Sequence, residues 1–280
     1  MRDPFLIDGP AVISFSWGRT SGYMLWRILQ AHGGELPSDV RVMFANTGKE
    51  MQETLDFVQE CSDRWGVPIT WVEYRTGKQA VIVDYASASR RGEPFEAVIT
   101  DRNFLPNPVA RFCTVELKIL TMVRVVSAPG GWDYFTNVVG LRADEPRRIA
   151  KINSSARKEF DRIAPLATAG VNVAEVGAFW AAHPFDLRLP NMNGKTMHGN
   201  CDLCFLKGAG QVLSLIREQP ARATWWIQQE SRIHSIGQIK GDAGVFRSDR
   251  PNYTAMRNMA VDQGEMFAYD EALEDCACTD

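Results

Sequence analysis

The chain has 280 residues, 45% of them hydrophobic, and a formal net charge of −3. It is long enough to bury a real core, and its charge argues against a generally basic nucleic-acid-binding surface. No apolar run approaches the roughly 20 residues that span a bilayer, and Met1-Arg2-Asp3-Pro4 lacks a signal peptide's apolar core, so a cytoplasmic protein without a membrane partner is expected.

Ala11 to Phe15 reads as a buried strand, and Ser14-Phe15-Ser16-Trp17-Gly18-Arg19-Thr20-Ser21 joins it to a helix beginning near Thr20. Small hydroxyl residues and a glycine between a strand end and a helix start leave N–H groups for an anion, where the helix dipole is positive. Arg19 adds a charge and a planar donor fork. An ordinary turn capped by Ser and Thr is the competing reading. After Gly33-Gly34, Val40 to Ala45 is a second strand that runs into the polar turn Asn46-Thr47-Gly48-Lys49-Glu50. Met51 to Trp65 has helical period, Gly66-Val67-Pro68 stops it, and Ile69 to Tyr74 is a third strand. Strands and helices alternating at this spacing predict parallel pairing with right-handed crossovers. That is a doubly wound, mostly parallel α/β fold whose ligands sit beyond the carboxyl ends of the strands.

Further on, Lys78 to Arg91 reads as a helix, and Gly92 to Pro108 is left unassigned. Phe112 to Val126 reads as helical and Tyr134 to Leu141 as a strand closed by a third polar turn, Arg142 to Arg148. The polar stretch Ile152 to Phe160 is expected to be a lid or loop. The character changes near Ile163, which divides the chain into a nucleotide-binding α/β domain over 1–168 and a helical region over 169–280 that carries a cysteine pair and a cysteine-containing tail. Helices are expected over Val173 to His183, Gly208 to Glu218 and Pro220 to His234, and few apolar anchors follow Gly237 until Met266 to Leu273.

Six cysteines are too few and too uneven for a disulfide scaffold, and close pairs in a reducing compartment point to metal or redox chemistry. Two residues between Cys201 and Cys204 let both thiolates reach one metal centre. Cys113 lies at a helix start near cations that stabilise a thiolate and is a candidate third ligand. Three cysteines with a variable fourth position fit a 4Fe-4S cluster, while His198 makes a zinc site the alternative. Cys276 and Cys278, in the tail, could bring a thiol to the site, and Cys61 falls on a buried helix face. Among charged groups, Glu50 could position Mg²⁺, and Arg142 and Arg148 could contact an anionic substrate. Solvated loop charge is the alternative for each.

In order, Ser14 to Ser21, Phe44-Ala-Asn-Thr-Gly48 with Glu50 and Glu53, Arg111-x-Cys113-x4-Lys118, Gly140-Leu-Arg142-Ala-Asp-Glu145-x-x-Arg148, Pro165-Leu166 and Asn200-Cys-x-x-Cys204-Phe-Leu-Lys-Gly208 resemble the phosphoadenosine phosphosulfate (PAPS) reductase-like family of the adenine nucleotide α-hydrolase superfamily. The resemblance implies a phosphate loop at Ser14 to Ser21, an adenine nucleotide along the sheet's carboxyl edge, and often an iron–sulfur cluster. Trp17 stands where the superfamily's Ser-Gly-Gly pattern has its second glycine. Phe112 replaces one of two adjacent cluster cysteines, and the reductase tail Glu-Cys-Gly-Leu-His is absent.

These residues favour an enzyme that uses ATP, adenylates an acceptor with release of pyrophosphate, and performs sulfur transfer. Ser14, Ser16, Gly18, Arg19, Thr20, Ser21, Asn46, Thr47, Gly48, Arg142 and Arg148 would bind the nucleotide, with Arg19, Glu50, Cys276 and Cys278 as catalytic candidates. PAPS or adenylyl-sulfate reduction, with a tail cysteine as nucleophile and a thioredoxin-like donor, is the alternative. A non-catalytic nucleotide or cluster sensor is the third reading. The acceptor is unidentified, and the oligomeric state, a homodimer included, is open.

Overall fold

In the computed structural model the described residues are 2–16, 18–154, 157–192, 195–235 and 244–262. Trp17, Cys276, Cys278 and the stretch Met266 to Leu273 lie outside them. The chain runs β1 (Ala11–Ser14), α1 (Arg19–Ala31), β2 (Val40–Asn46), α2 (Gln52–Trp65), β3 (Ile69–Arg75), β4 (Gln79–Val83) and α3 (Glu93–Arg102). A π-helix (Thr114–Leu120), α4 (Thr121–Val126), β5 (Phe135–Val139), α5 (Pro146–Ser154), β6 (Phe160–Ile163), α6 (Pro165–Thr168) and α7 (Val173–Ala182) follow. The last elements are a short hairpin of β7 (Asn191–Met192) and β8 (Lys195–Thr196), then α8 (Ala209–Glu218), a 3-10 turn (Pro220–Arg222), α9 (Ala223–Ser235) and α10 (Tyr253–Asp262). Among the described residues no helix is long and apolar enough to cross a membrane.

The main sheet has the order β4-β3-β2-β1-β5-β6 and is parallel except at β4. This is the expected doubly wound α/β fold. Strand alternation splits its core in two. Ala11 and Ile13 of β1 face a cluster with Met24, Leu25 and Ile28 of α1, Leu55 and Val58 of α2 and Trp180 of α7. Val12 faces the other way, toward Val123 and Val126 of α4, Phe135 and Phe160. A further cluster joins Phe95, Val98 and Ile99 of α3 to Cys201, Cys204, Phe205 and the helices α8 to α10.

The structure corrects three sequence expectations. The helix over Lys78 to Arg91 is replaced by β4. Gly77 and Lys78 take positive φ of 77° and 59°, and the Asp101 carboxylate accepts the Gly77 N–H at 2.7 Å, turning the chain back so that Val81 to Val83 pair antiparallel with β3. The loop over Ile152 to Phe160 begins instead as the end of α5 and ends at β6, an edge strand of four residues too short to show a period. The tail contains α10, anchored by Tyr253 and Met256. The stretch Phe112 to Val126 is helical as expected, with Thr114–Leu120 wound as a π-helix, a form that recurs at functional sites. The Thr121 hydroxyl donates to the Glu116 carbonyl at 2.7 Å.

The Glu116 side chain is clamped between Arg102 of α3 and Arg124 of α4, the latter at 2.9 Å. Burial alone would raise its carboxyl, but the hydrogen bonds and charges of the two guanidinium groups outweigh burial and hold it below the ordinary carboxylate range. A carboxyl lowered on folding stabilises the fold above its unfolded value, and the contribution is lost as pH falls through the lowered folded value. In urea titrations between about pH 6 and pH 3, Glu116→Gln should therefore lose less stability on acidification than the wild type. Parallel losses would contradict the clamp.

Candidate functional site

At the carboxyl end of β1 the chain turns into α1. The Gly18 N–H donates to Ser21 Oγ at 3.2 Å, and that hydroxyl donates to the Gly18 carbonyl at 2.9 Å, closing the first turn. The end of β5 meets this turn, and a Cβ on Gly140 would lie 3.2 Å from the Cα of Ser21. Two residues on, Arg142 donates through Nη1 to Thr20 Oγ1 at 3.0 Å and through Nε to Asp144 at 2.9 Å. Glu145 accepts the Arg142 N–H at 2.9 Å and pairs with Arg148. Ser14 donates to Asn137 Oδ1 of β5 at 2.7 Å. The structure thus gathers Ser14, Gly18, Thr20, Ser21 and Arg142 at one crevice.

Arg19 points elsewhere. Its Nε and Nη2 grip Asp186 at 2.7 and 2.6 Å, Nη2 also reaches the Leu189 carbonyl at 2.9 Å, and Nη1 donates to Thr196 Oγ1 at 3.0 Å. Its own carbonyl accepts the Trp180 indole N–H at 2.8 Å. The guanidinium fork expected for an anion is occupied by the segment that follows α7.

The second turn, at the end of β2, is built from its own side chains. Asn46 donates to Glu73 at 2.6 Å and to the Ser89 carbonyl at 2.8 Å, and accepts the Gly48 N–H at 3.1 Å. Gly48 has φ of +74°, and a Cβ there would stand 3.0 Å from the Gly92 nitrogen, so only glycine fits without strain. The buried Glu50 carboxylate accepts the Thr47 hydroxyl at 2.7 Å and the Thr47 and Lys49 N–H groups at 3.1 Å. Burial pushes its carboxyl up, against these hydrogen bonds and the charge of Lys118. Glu50 therefore closes the turn on itself.

Lys49 forms a buried ion pair with Asp202 at 3.0 Å, and the Asp202 N–H donates to the Lys49 carbonyl at 2.7 Å. Asp202 also accepts the Trp226 indole N–H at 2.8 Å and pairs with Arg222 at 3.4 Å. The ammonium of Lys207, buried in the same segment, donates to the carbonyls of Gly199, Cys201 and Asp202 at 2.7, 2.6 and 3.0 Å. The cysteine-bearing loop is in this way locked against the second turn, with Thr47 Oγ1 3.5 Å from Cys201 Sγ.

Cys201 and Cys204 lie in one apolar cluster, and Cys113 packs against it. Among the described residues, however, no group of three or more His, Cys, Asp or Glu side chains could hold a metal ion. His198 pairs with Glu218 at 3.3 Å. Burial, the leading influence, makes its imidazole harder to protonate. Cys61 is a core residue whose thiol burial pushes up.

Between the sheet and the π-helix with α4 lies a narrow cleft that includes Ser14, Ser16, Lys118, Asn137, Gly140 and Arg162 in its lining. It opens where the winding reverses between β1 and β5, the usual ligand position in such sheets. Four of these residues were not read from the sequence as site residues, Gly140 among them although it stood in the Gly-Leu-Arg motif. Lys118 stood in the Arg-x-Cys-x4-Lys motif and could have been taken from it. Asn137 shows only as a polar residue inside a buried strand, and Arg162 lies on a strand too short to be recognised.

Residues 10–169 match the family model for the phosphoadenosine phosphosulfate reductase domain. A relative, the uncharacterized nin region protein ORF290 of Escherichia phage lambda, is 27% identical over 210 residues, covering 72% of this chain and 67% of that protein.

Removing one partner of a buried ion pair typically costs about 3–5 kcal/mol, because the other charge is left uncompensated. Asp202→Ala strands the Lys49 ammonium and the Trp226 N–H, so its unfolding free energy in urea should fall by roughly that amount. A loss below about 1 kcal/mol, the scale of an exposed pair, would contradict the lock.

Proposed function

The chain belongs to the phosphoadenosine phosphosulfate reductase domain family of the PP-loop superfamily, and we propose that it is an adenine-nucleotide-binding enzyme that uses ATP to adenylate an acceptor. The observation that carries this reading is the crevice at the sheet's winding reversal, where Ser14, Ser16, Thr20, Ser21, Gly140, Arg142 and Lys118 come together. N–H groups in the first turn of α1, with the hydroxyls of Ser16 and Thr20, hold phosphate oxygens, while the Ser21 hydroxyl closes the turn. Lys118 and Arg142 counter their charge. An acceptor nucleophile attacks the α-phosphorus. The acceptor–phosphorus bond forms as the bond to the bridging oxygen breaks, and pyrophosphate leaves with that electron pair. Excluding water and fixing the phosphates are the protein's main contributions.

In this reading Arg19 and Glu50 are framework residues rather than phosphate or Mg²⁺ ligands, since both are engaged within the fold. Asn46, Thr47 and Gly48 shape the edge of the nucleotide site, Arg148 steadies Arg142 through Glu145, and Mg²⁺ enters with the nucleotide phosphates. In the same proposal sulfide-level sulfur from a donor, thioredoxin-like or other, attacks the acceptor atom that bears the adenylated oxygen; the bond to sulfur forms as the bond to that oxygen breaks, and AMP leaves with the electron pair. So does a thiolate-held iron–sulfur cluster, or zinc, at Cys113, Cys201 and Cys204, which would supply electrons or sulfur. Its support is the shared apolar cluster of these three cysteines, and it requires ligands beyond the described residues. Iron, sulfide and zinc analysis of anaerobically purified protein tests it, and zinc without iron would remove the cluster.

The family's reductase chemistry supports a second reading. A tail thiolate, Cys276 or Cys278, would attack the sulfate sulfur of PAPS and displace the nucleotide phosphate. A dithiol donor would then release sulfite from the thiosulfonate and become a disulfide. Sulfite formation dependent on those cysteines would favour it, while acceptor-dependent pyrophosphate release favours adenylation.

In either case Lys118→Met should weaken nucleotide triphosphate binding by about tenfold or more, the effect of losing one charge-assisted phosphate contact, with adenosine binding nearly unchanged. Isothermal titration of both ligands checks this. Equal losses for the two would show that Lys118 supports the fold and not the phosphates.

A further inference from the structure

The two edges of the main sheet are built differently. At one end β6 carries charge at Asp161 and Arg162, a common device by which edge strands discourage further pairing. At the other end β4 reads Gln79-Ala80-Val81-Ile82-Val83, with no charge, proline or glycine. Its register with β3 runs unbroken from the pair Arg75 and Gln79 to the pair Trp71 and Val83, so no bulge bends this edge away. Ile82 is 65% exposed, and among the described residues β4 pairs with no strand but β3.

The strand is also complementary to itself. In an antiparallel pair of two copies centred on Val81, Gln79 lies opposite the partner's Val83 and Ala80 opposite the partner's Ile82. Each Ile82 then covers a small alanine and buries apolar surface that a single copy leaves in water. One step beyond the strand, Lys78 meets the partner's Asp84, and two-fold symmetry repeats the pair at the other end. Both residues are exposed. Asp84 Oδ1 accepts the Ser87 N–H at 2.7 Å and the Ser87 hydroxyl at 2.6 Å, which holds the carboxylate at the strand end. The charges also select the register. Centring the pair on Ile82 would set Lys78 against Ala86, and centring it on Ala80 would set Lys78 against Ile82.

We infer that the outer edge of β4 is an interface for a second copy of this chain, joining two six-stranded sheets into one through antiparallel pairing centred on Val81. Backbone N–H and C=O groups along the edge supply the hydrogen bonds, Ile82 and Ala80 the apolar contact, and Lys78 with Asp84 the register. Because β4 runs against β3, the parallel strands of the two copies point in opposite directions. Their carboxyl ends lie on opposite margins of the joined sheet, so both crevices stay open. The interface is independent of the chemistry proposed above.

Sedimentation equilibrium of the full chain should show a species of twice the 31.4 kDa of one copy that dissociates on dilution. Ile82→Lys, at a position exposed in the single copy, should weaken dimerisation by about tenfold or more while circular dichroism stays unchanged. Lys78→Glu and Asp84→Lys, each alone, should weaken it by about tenfold or more as well, since both symmetry-related pairs turn repulsive. An equimolar mixture of those two variants should recover the dimer, because each copy of one then meets opposite charge on the other at both ends. A wild-type monomer at every concentration would overturn the inference. So would a dimer indifferent to Ile82→Lys, which places the contact elsewhere, or folded charge variants whose mixture stays monomeric, which breaks the pairing of Lys78 with Asp84. If Asp84→Lys does not fold, Ile82→Lys and Lys78→Glu decide, and a wild-type affinity in both overturns the inference.

Discussion

The position of β1 between β2 and β5 is the constraint on which the molecule depends. All three strands are parallel, and parallel neighbours must be joined by right-handed crossovers. The chain therefore leaves β1 in one direction to build β2 and β3, and later returns to its other side to build β5 and β6. The two windings part at the carboxyl end of β1, so the crevice there follows from topology before any side chain is chosen. Ser14, Gly18, Thr20 and Ser21 lie at that point, Gly140 lets the return strand come close to them, and the π-helix roofs the opening on the side of Val12 and Ser14.

Around this crevice the cations divide into two kinds. Arg19 and Lys49, one from each of the first two turns, reach outward to Asp186 and Asp202, which flank the β7–β8 hairpin in a single segment. Their charges stabilise the frame by fixing two turns that would otherwise be free to shift. Arg142 and Lys118 instead border the opening, and Glu145 and Asp144 steady Arg142 from behind. Rigid turns with charge positioned in advance are what phosphate chemistry needs, since little reorganisation is then left for the reaction itself. The Lys207 ammonium extends the same frame to the cysteine-bearing loop by binding three of its carbonyl groups.

Much of this was legible in the chain because the signals are local. The turn after β1, the turn after β2 and the helix between them are encoded by neighbouring residues, and the family resemblance drew on the same short motifs. What escaped was set by distant partners. Arg19 reads as a phosphate ligand until Asp186, 167 residues away, is seen to hold it, and Glu50 reads as a metal ligand until its own turn closes around it. The helical reading of Lys78 to Arg91 failed because the strand there depends on pairing with β3 and on a turn held by Asp101. A four-residue edge strand such as β6 carries too little pattern to be read, and Arg162 was hidden with it.

Hydrogen–deuterium exchange of the full chain, with and without a non-hydrolysable ATP analogue, addresses the central claim most directly. Binding at the winding reversal predicts slower exchange in the peptides that contain Gly18 to Gly22, Asn46 to Glu50 and Thr114 to Met122, with the peptide containing Leu36 to Pro37 at the opposite edge of the sheet unchanged. Protection confined to other parts of the chain, or no protection at saturating analogue, would contradict the account.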